Sequence, residues 1–239
     1  MQKGARVERL ADNNIRIWFD ETLLKEDASR CFDVEFWQQK DAILGSATGR
    51  GTTWFVQTET LPAALRHYRR GGLFGKLVAD SYWFSGWENT RSAQEFNLLH
   101  YLIEQGISVP RPIAARAVRD GLTYRADLLV EKVDGAKDLV DILTQSSLSA
   151  EKYREIGVLV RKLHDTGVCH TDLNIHNILL DNNGTFWLID FDKCGRRSGD
   201  SWKAANLSRL LRSFRKEQGK RAIQWRESDW AELLNGYDT

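Results

Sequence analysis

Three polar residues fall close together in the second half of the chain. They are His170, Asp172 and Asn177, in the run His170-Thr-Asp172-Leu-Asn-Ile-His-Asn177. A further aspartate, Asp190, comes eighteen positions after Asp172, in Ile189-Asp-Phe-Asp192. This set suits phosphoryl transfer. A hydroxyl nucleophile needs a carboxylate to orient it and take its proton. The phosphates need Mg²⁺, which takes oxygen ligands, often one or two carboxylates completed by water and phosphate oxygens. Asp172 fits the first task; Asn177 and Asp190 fit the second.

The element that must position them is a hairpin. Ile178-Leu-Leu180 and Thr185-Phe-Trp-Leu-Ile189 are short apolar runs joined by the turn Asp181-Asn-Asn-Gly184, the pattern of two strands and an Asx/Gly connection. Asp172 and Asn177 stand in the loop at its entrance and Asp190 at its exit. An ordinary polar turn beside a hairpin would explain the loop, but not a second apolar-flanked aspartate at this distance.

The preceding 130 residues read mostly as strands. The apolar run 41–44 is broken by Gly45-Ser-Ala-Thr-Gly49-Arg-Gly51 and resumes at 52–57, which is strand, glycine-rich turn, strand. Pro62 opens another strand over 63–68, ended by Arg70-Gly-Gly72. The aromatic segment Tyr82-Trp-Phe-Ser-Gly-Trp87 reads as a loop. Residues 90–105 have a helical apolar period, with Thr90 as cap and Gly106 as stop. Residues 122–131 are strand-like again, and 150–164 are helical. The fold class is therefore α+β, a small β-rich lobe over 1–132 and a larger helical lobe over 133–239 with a crevice between them, forming one functional domain.

The loop His170-x-Asp172-x4-Asn177, followed by Asp190-Phe-Asp192 in the place of an Asp-Phe-Gly motif, resembles the protein-kinase-like superfamily. The resemblance implies a bilobal kinase fold using ATP and Mg²⁺, with Asp172 as catalytic base and Asn177 and Asp190 on the metal. In the first lobe it implies Gly49 and Gly51 near the phosphates and Arg66 where the family has a strand lysine, with Lys76 as the alternative. It further implies Glu95 as the ion-pairing glutamate and the backbone of Val130, Glu131 and Lys132 as the hinge that meets adenine. Two departures stand out. Thr171 follows His170 where regulated protein kinases have arginine, and no Ala-Pro-Glu follows Asp190. Both favour the compact bacterial small-molecule and carbohydrate kinases.

Within that group the whole chain resembles the 3-deoxy-D-manno-octulosonate (Kdo) kinases of lipopolysaccharide assembly. Leu65-Arg-His-Tyr-Arg-Arg-Gly-Gly72, the Tyr82–Trp87 segment and Cys169–Asn177 with Ile189–Lys193 carry that likeness. It implies phosphorylation of a Kdo hydroxyl on Kdo–lipid IVA, by a peripheral protein at the cytoplasmic face of the bacterial inner membrane. A core heptose kinase is the nearest alternative, followed by an aminoglycoside-type or protein kinase. The non-enzyme alternative is a pseudokinase-like membrane adaptor, which retention of Asp172, Asn177 and Asp190 disfavours.

Composition sets outer limits. The chain has 239 residues, 42% hydrophobic and 28% charged, which excludes disorder and disulfide scaffolds. Its net charge of +1 argues against a globally basic nucleic-acid binder, and no nucleic-acid partner is expected. The charge is uneven, however. From Arg196 to Arg226 ten Lys or Arg face only Asp200 and Glu217, and Leu207, Leu210, Leu211 and Phe214 recur at helical spacing among them. That reads as a basic amphipathic helix suited to an anionic membrane surface. Three widely spaced cysteines fit a reducing compartment. The charged N-terminal residues lack the apolar core of a secretory signal, so the expectation is a cytoplasmic protein without a membrane span. His164, Cys169 and His170 match no zinc-ligand spacing.

Overall fold

The structure is a computed structural model that describes residues 7–48, 51–70 and 80–239, with backbone alone for 7–11. The architecture is α+β, and the chain divides into two compact units: 1–100 with 110–133, and 101–109 with 134–239.

The first unit is built on an antiparallel sheet. Its strands are β1 (Val7–Asp12), β2 (Ile15–Asp20), β3 (Ile43–Thr48), β4 (Thr52–Gln57), β5 (Pro62–His67), β6 (Tyr82–Trp83), β7 (Pro112–Asp120) and β8 (Thr123–Glu131). The spatial order is β1-β2-β7-β8-β5-β4-β3, with β6 also pairing with β8. The central position of β8 explains its continuous apolar run, since Leu128 and Leu129 are fully buried. Strand β7 begins at a proline and is alanine-rich, which hides it from propensity. Ala114, Ala115 and Ala117 are nonetheless completely buried, because small side chains let the neighbouring layer approach closely. Strand β3 runs through Gly45 by way of an irregularity between Ile43 and Gly45, so the expected break there is a bulge.

Two helices accompany this sheet, α1 (Val34–Gln39) and α2 (Arg91–Glu104). The short α1 is held by Trp37, which is fully buried and donates its indole N–H to the Cys31 carbonyl at 2.8 Å. The β1–β2 hairpin and α1 enlarge the first unit, so the two units are of similar length rather than small and large. The last turn of α2 and the segment to Val109 group with the second unit.

The second unit contains β9 (Lys137–Asp138), α3 (Leu139–Gln145), α4 (Ala150–Asp165), β10 (Val168–Cys169), β11 (Ile178–Leu180), β12 (Phe186–Leu188), β13 (Gly195–Arg196), α5 (Ser201–Arg221) and α6 (Glu227–Tyr237). Asp138 and Ser149 cap α3 and α4 by accepting the N–H groups of Asp141 and Lys152. Helices α4 and α6 meet backbone to backbone. A Cβ on Gly157 would sit 2.0 Å from the Leu233 carbonyl oxygen, and one on Gly236 would sit 2.1 Å from that of Arg154. Only glycine fits at either place. Strand β11 pairs with β12 in the register Ile178↔Leu188 and Leu180↔Phe186, which is the hairpin expected to carry the site.

Candidate active site

The catalytic-type loop leaves β10 at His170 and closes on itself before β11. Asn174 caps a short turn over Ile175–Asn177 by accepting the His176 N–H at 2.8 Å. The side-chain amide of Asn177 then donates to the Asp172 carbonyl at 2.9 Å. The Ile189 N–H donates to the Asn177 carbonyl at 3.0 Å, continuing the hairpin pairing by one step. Asp190, directly after Ile189, therefore stands beside Asn177. It has a left-handed backbone with φ of 64°, which turns the chain sharply as it leaves β12.

His170 fastens the two halves of this loop together. Its Nε2–H donates to the Ile189 carbonyl at 3.0 Å, and its Nδ1 accepts the Asp172 N–H at 3.3 Å. One nitrogen donates and the other accepts, so the ring is neutral. Burial pushes its pKa below the usual histidine value in the same direction. Phe191 packs edge-on against the ring at 4.8 Å.

Helix α5 follows the loop with one contact per turn. Asn206 donates to the His170 carbonyl at 2.7 Å, and Arg209 Nη1 donates to Asp172 Oδ1 at 3.3 Å. Ser213 Oγ accepts the Ile175 N–H at 3.1 Å, and Glu217 lies 3.5 Å from His176 Nε2. Residues three or four apart share a helix face, so positions 206, 209, 213 and 217 form one stripe. Asn206 also accepts from His164 Nε2 at 3.2 Å, and His164 Nδ1 accepts the Tyr237 hydroxyl at 2.8 Å. A polar relay thus runs from α6 to the loop. Sequence reasoning missed Asn206, Ser213 and Glu217. The available signal was polar residues on the face that also carries Trp202, Leu210 and Phe214, all buried.

The basic helix is α5, but its charges are less free than their count suggests. Arg209 is engaged by Asp172, and Arg215 is held by Glu227 through two bonds of 2.7 and 3.0 Å. Lys216 and Arg221 share the buried Glu217 at 3.6 and 3.2 Å. The basic residues of this segment are therefore opposed by Glu227 and Asp172 as well as by the two acids inside it, Asp200 and Glu217.

Asn177 and Asp190 suit Mg²⁺ by donor type. The Asn177 nitrogen is occupied by the Asp172 carbonyl, which leaves its amide oxygen as the acceptor; Asp190 adds a carboxylate one residue beyond the Ile189–Asn177 backbone bond. Among the described residues there is no group of three or more His, Cys, Asp or Glu arranged for a metal. A carboxylate and an amide oxygen completed by water and phosphate oxygens is the kind of partial shell Mg²⁺ accepts. The His164–Cys169–His170 group has no ligating role here, since both nitrogens of each histidine already have partners.

In the first unit, Arg66 on β5 meets Glu95 on α2 at 2.5 Å, and the Tyr68 hydroxyl donates to the other Glu95 oxygen at 2.5 Å. Glu95 is buried while Arg66 keeps part of its surface exposed, so the charge pair has one anchored and one accessible member. Gly51 precedes β4, and a Cβ there would meet the Arg69 side chain at 2.9 Å. Gly49 and Lys76 lie outside the described residues.

Glu131 lies at the end of β8, opposite Ala63 of β5, the strand that carries Arg66. Arg111 holds its carboxylate by two bonds of 2.8 and 2.9 Å. Its own N–H donates to the Arg111 carbonyl and that of Lys132 to the Pro62 carbonyl, both at 2.9 Å. These two N–H groups are committed within the sheet, so a base meeting this edge would use other backbone groups.

The chain matches the model of the lipopolysaccharide kinase (Kdo/WaaP) family over residues 34–237. It is 62% identical to a 3-deoxy-D-manno-octulosonic acid kinase of Photobacterium profundum over 97% of this chain and 98% of that one. It is 62% identical to the protein of that name in Vibrio cholerae, over 92% of this chain and 93% of that one. The corresponding Haemophilus influenzae protein is 53% identical over 95% and 97% of the two chains. With a match that takes in the catalytic-type loop, the hairpin and α5, the chain belongs to the lipopolysaccharide kinase (Kdo/WaaP) family.

Proposed function

We propose that this kinase transfers the γ-phosphoryl group of ATP to a hydroxyl of the Kdo sugar on a lipopolysaccharide precursor, Kdo–lipid IVA. The observation that carries the reading is near full-length identity to relatives bearing the name 3-deoxy-D-manno-octulosonic acid kinase. The loop geometry supplies a mechanism to go with it.

Asp172 accepts the proton of the attacking sugar hydroxyl. The new bond forms between that oxygen and the γ-phosphorus as the bridging oxygen leaves with ADP. His170 accepts the Asp172 N–H and Asn177 donates to its carbonyl, so the backbone that carries the carboxylate is fixed before substrate arrives. Such positioning and charge stabilisation supply most of the catalysis in phosphoryl transfer. Arg66, oriented by Glu95, offers a guanidinium fork to nucleotide phosphates. Asn177 and Asp190 would hold Mg²⁺, which when bound neutralises phosphate charge.

The protein acts as a peripheral enzyme at the cytoplasmic face of the inner membrane. Arg212, Lys216 and Lys220 recur four residues apart on an exposed face of α5 and would meet anionic lipid. No helix among the described residues is long and apolar enough to cross a membrane. The test is incubation with Mg-ATP and, separately, Kdo–lipid IVA, a heptosylated core and a generic protein, followed by mass spectrometry. Phosphate gained only by the Kdo lipid supports the reading. Phosphate gained only by the heptosylated core moves the assignment to a heptose kinase.

A further inference from the structure

Arg209 occupies an unusual place for a surface arginine. It projects from α5 to the carboxylate of the residue placed as base, with Nη1 3.3 Å from Asp172 Oδ1. Both side chains are about half exposed, at 48% and 52%. The pair is therefore open to a ligand. Among the described residues, Asp172 is the one ion-pair partner of Arg209, and Arg209 is the one cation on Asp172. A guanidinium carries five donors in a planar fork, and this contact uses one.

The helix around Arg209 is fixed on the loop from both sides. Asn206 is bonded to His170 one turn earlier, and Ser213 to Ile175 one turn later. The arginine is thus delivered to Asp172 by a braced helix and not by a mobile segment. A bracing role for Arg209 itself is redundant in this setting. Arg209 also heads a row of exposed cations, Arg212, Lys216 and Lys220, that leads away along the same side of α5.

A sugar acid creates a specific electrostatic problem at such a base. Its hydroxyl must reach Asp172, which brings the sugar's own carboxylate within about a ring's width of the Asp172 carboxylate. Two like charges at that distance repel unless a cation stands between them. Arginine is the side chain that grips a carboxylate bidentately while keeping a bond to a second one.

We propose that Arg209 is the acceptor-specificity residue. It keeps Nη1 on Asp172 and binds the carboxylate of the acceptor sugar with its remaining donors. The proposal rests on the sugar-acid reading of the acceptor given above, and it adds the residue that enforces that choice.

The experiment compares two acceptors, Kdo–lipid IVA and its carboxyl methyl ester, with the wild-type enzyme and with Arg209→Gln and Arg209→Lys. The wild type should show a KM for the ester raised roughly 10–100-fold, the worth of a hydrogen bond to a charged group. Arg209→Gln should raise the KM for the acid by a similar factor, cease to distinguish acid from ester, and leave the KM for ATP within about twofold. Arg209→Lys should fall between, keeping the charge but losing the fork. Equal use of acid and ester by the wild type overturns the proposal without any variant. An equal loss on both acceptors in Arg209→Gln, with a displaced acidic limb in the pH profile, also overturns it, because Arg209 would then act only through the Asp172 base. A wild type that phosphorylates neither acceptor contradicts the Kdo reading itself, and the proposal falls with it.

Discussion

The side-chain amide of Asn177 donates to the backbone carbonyl of Asp172 at 2.9 Å. The residue that would offer an oxygen to Mg²⁺ is thereby also a strut of the loop that holds the base. The two functions should separate on substitution. Asp190→Ala should abolish turnover in a folded protein. Asn177→Ala should raise the Mg²⁺ concentration needed for half-maximal rate and also lower the rate at saturating Mg²⁺ by roughly 5–10-fold, the worth of one ordinary hydrogen bond. Magnesium titrations of steady-state rate read both effects; wild-type metal dependence in both variants would place the cation elsewhere.

Arg66 and Glu95 form the corresponding pair in the first unit, with Tyr68 on the second carboxylate oxygen. Arg66→Ala should raise the KM for ATP while leaving acceptor binding intact. Arg66→Lys should recover part of the loss, because a point charge replaces a fork. Nucleotide titration by fluorescence or calorimetry checks this. If Lys76→Ala weakens ATP use and Arg66→Ala does not, the assignment of Arg66 to the nucleotide phosphates is wrong.

Stability should fall on mild acidification. Burial lowers the His164 pKa to about 4 from an ordinary 6.5, and burial lowers that of His170 as well. Below about pH 6.5 the unfolded chain binds protons that the folded chain refuses, so stability decreases as pH falls from there toward 4. For His164 the full effect is about 3 kcal/mol at 1.36 kcal/mol per pKa unit. Thermal melts between pH 7.5 and 5 measure it. His164→Gln should flatten the dependence, at the expense of some stability at neutral pH; an unchanged slope would contradict the neutral relay from Tyr237 to His170.

Membrane attachment should be electrostatic. Replacing Arg212, Lys216 and Lys220 with glutamine should weaken binding to anionic vesicles by about 3 kcal/mol, near 1 kcal/mol for each cation facing the surface. Lys216 stays in the set because its side chain remains 70% exposed beside Glu217, whereas Arg209 is left out because it meets the Asp172 base. Binding should also fall steeply between 0.1 and 1 M salt, as the Debye length shortens from about 10 to 3 Å. Flotation assays decide the matter. Salt-resistant binding, or equal binding to neutral vesicles, would direct attention to Trp83 and Leu122, which are 67% and 65% exposed.

Much of the reacting end was legible because its chemistry is local. Asp172, Asn177 and Asp190 are read from one stretch, and the hairpin that joins them is signalled by two apolar runs and an Asx/Gly turn. What escaped is non-local. Strand β7 is alanine-rich and gains its stability from burial between β2 and β8, which no window of sequence displays. Helix α6 was hidden because its docking on α4 depends on Gly157 and Gly236 facing one another across a long chain separation. By spacing alone Arg209 is one more cation of a basic helix. Its contact with Asp172 depends on how α5 lies along the loop, and spacing within α5 alone cannot give that.

The central claim is that Asp172 serves as base in phosphorylation of a Kdo hydroxyl. The most direct measurement is the rate of phosphate transfer to Kdo–lipid IVA by wild type and by Asp172→Asn, at saturating ATP, with the product read by mass spectrometry. The account predicts addition of one phosphoryl group by the wild type. It also predicts a loss of roughly 10²–10⁴-fold in the variant, the usual worth of a positioned base, with fold and ATP affinity retained. Near-normal transfer by a folded Asp172→Asn protein would contradict it.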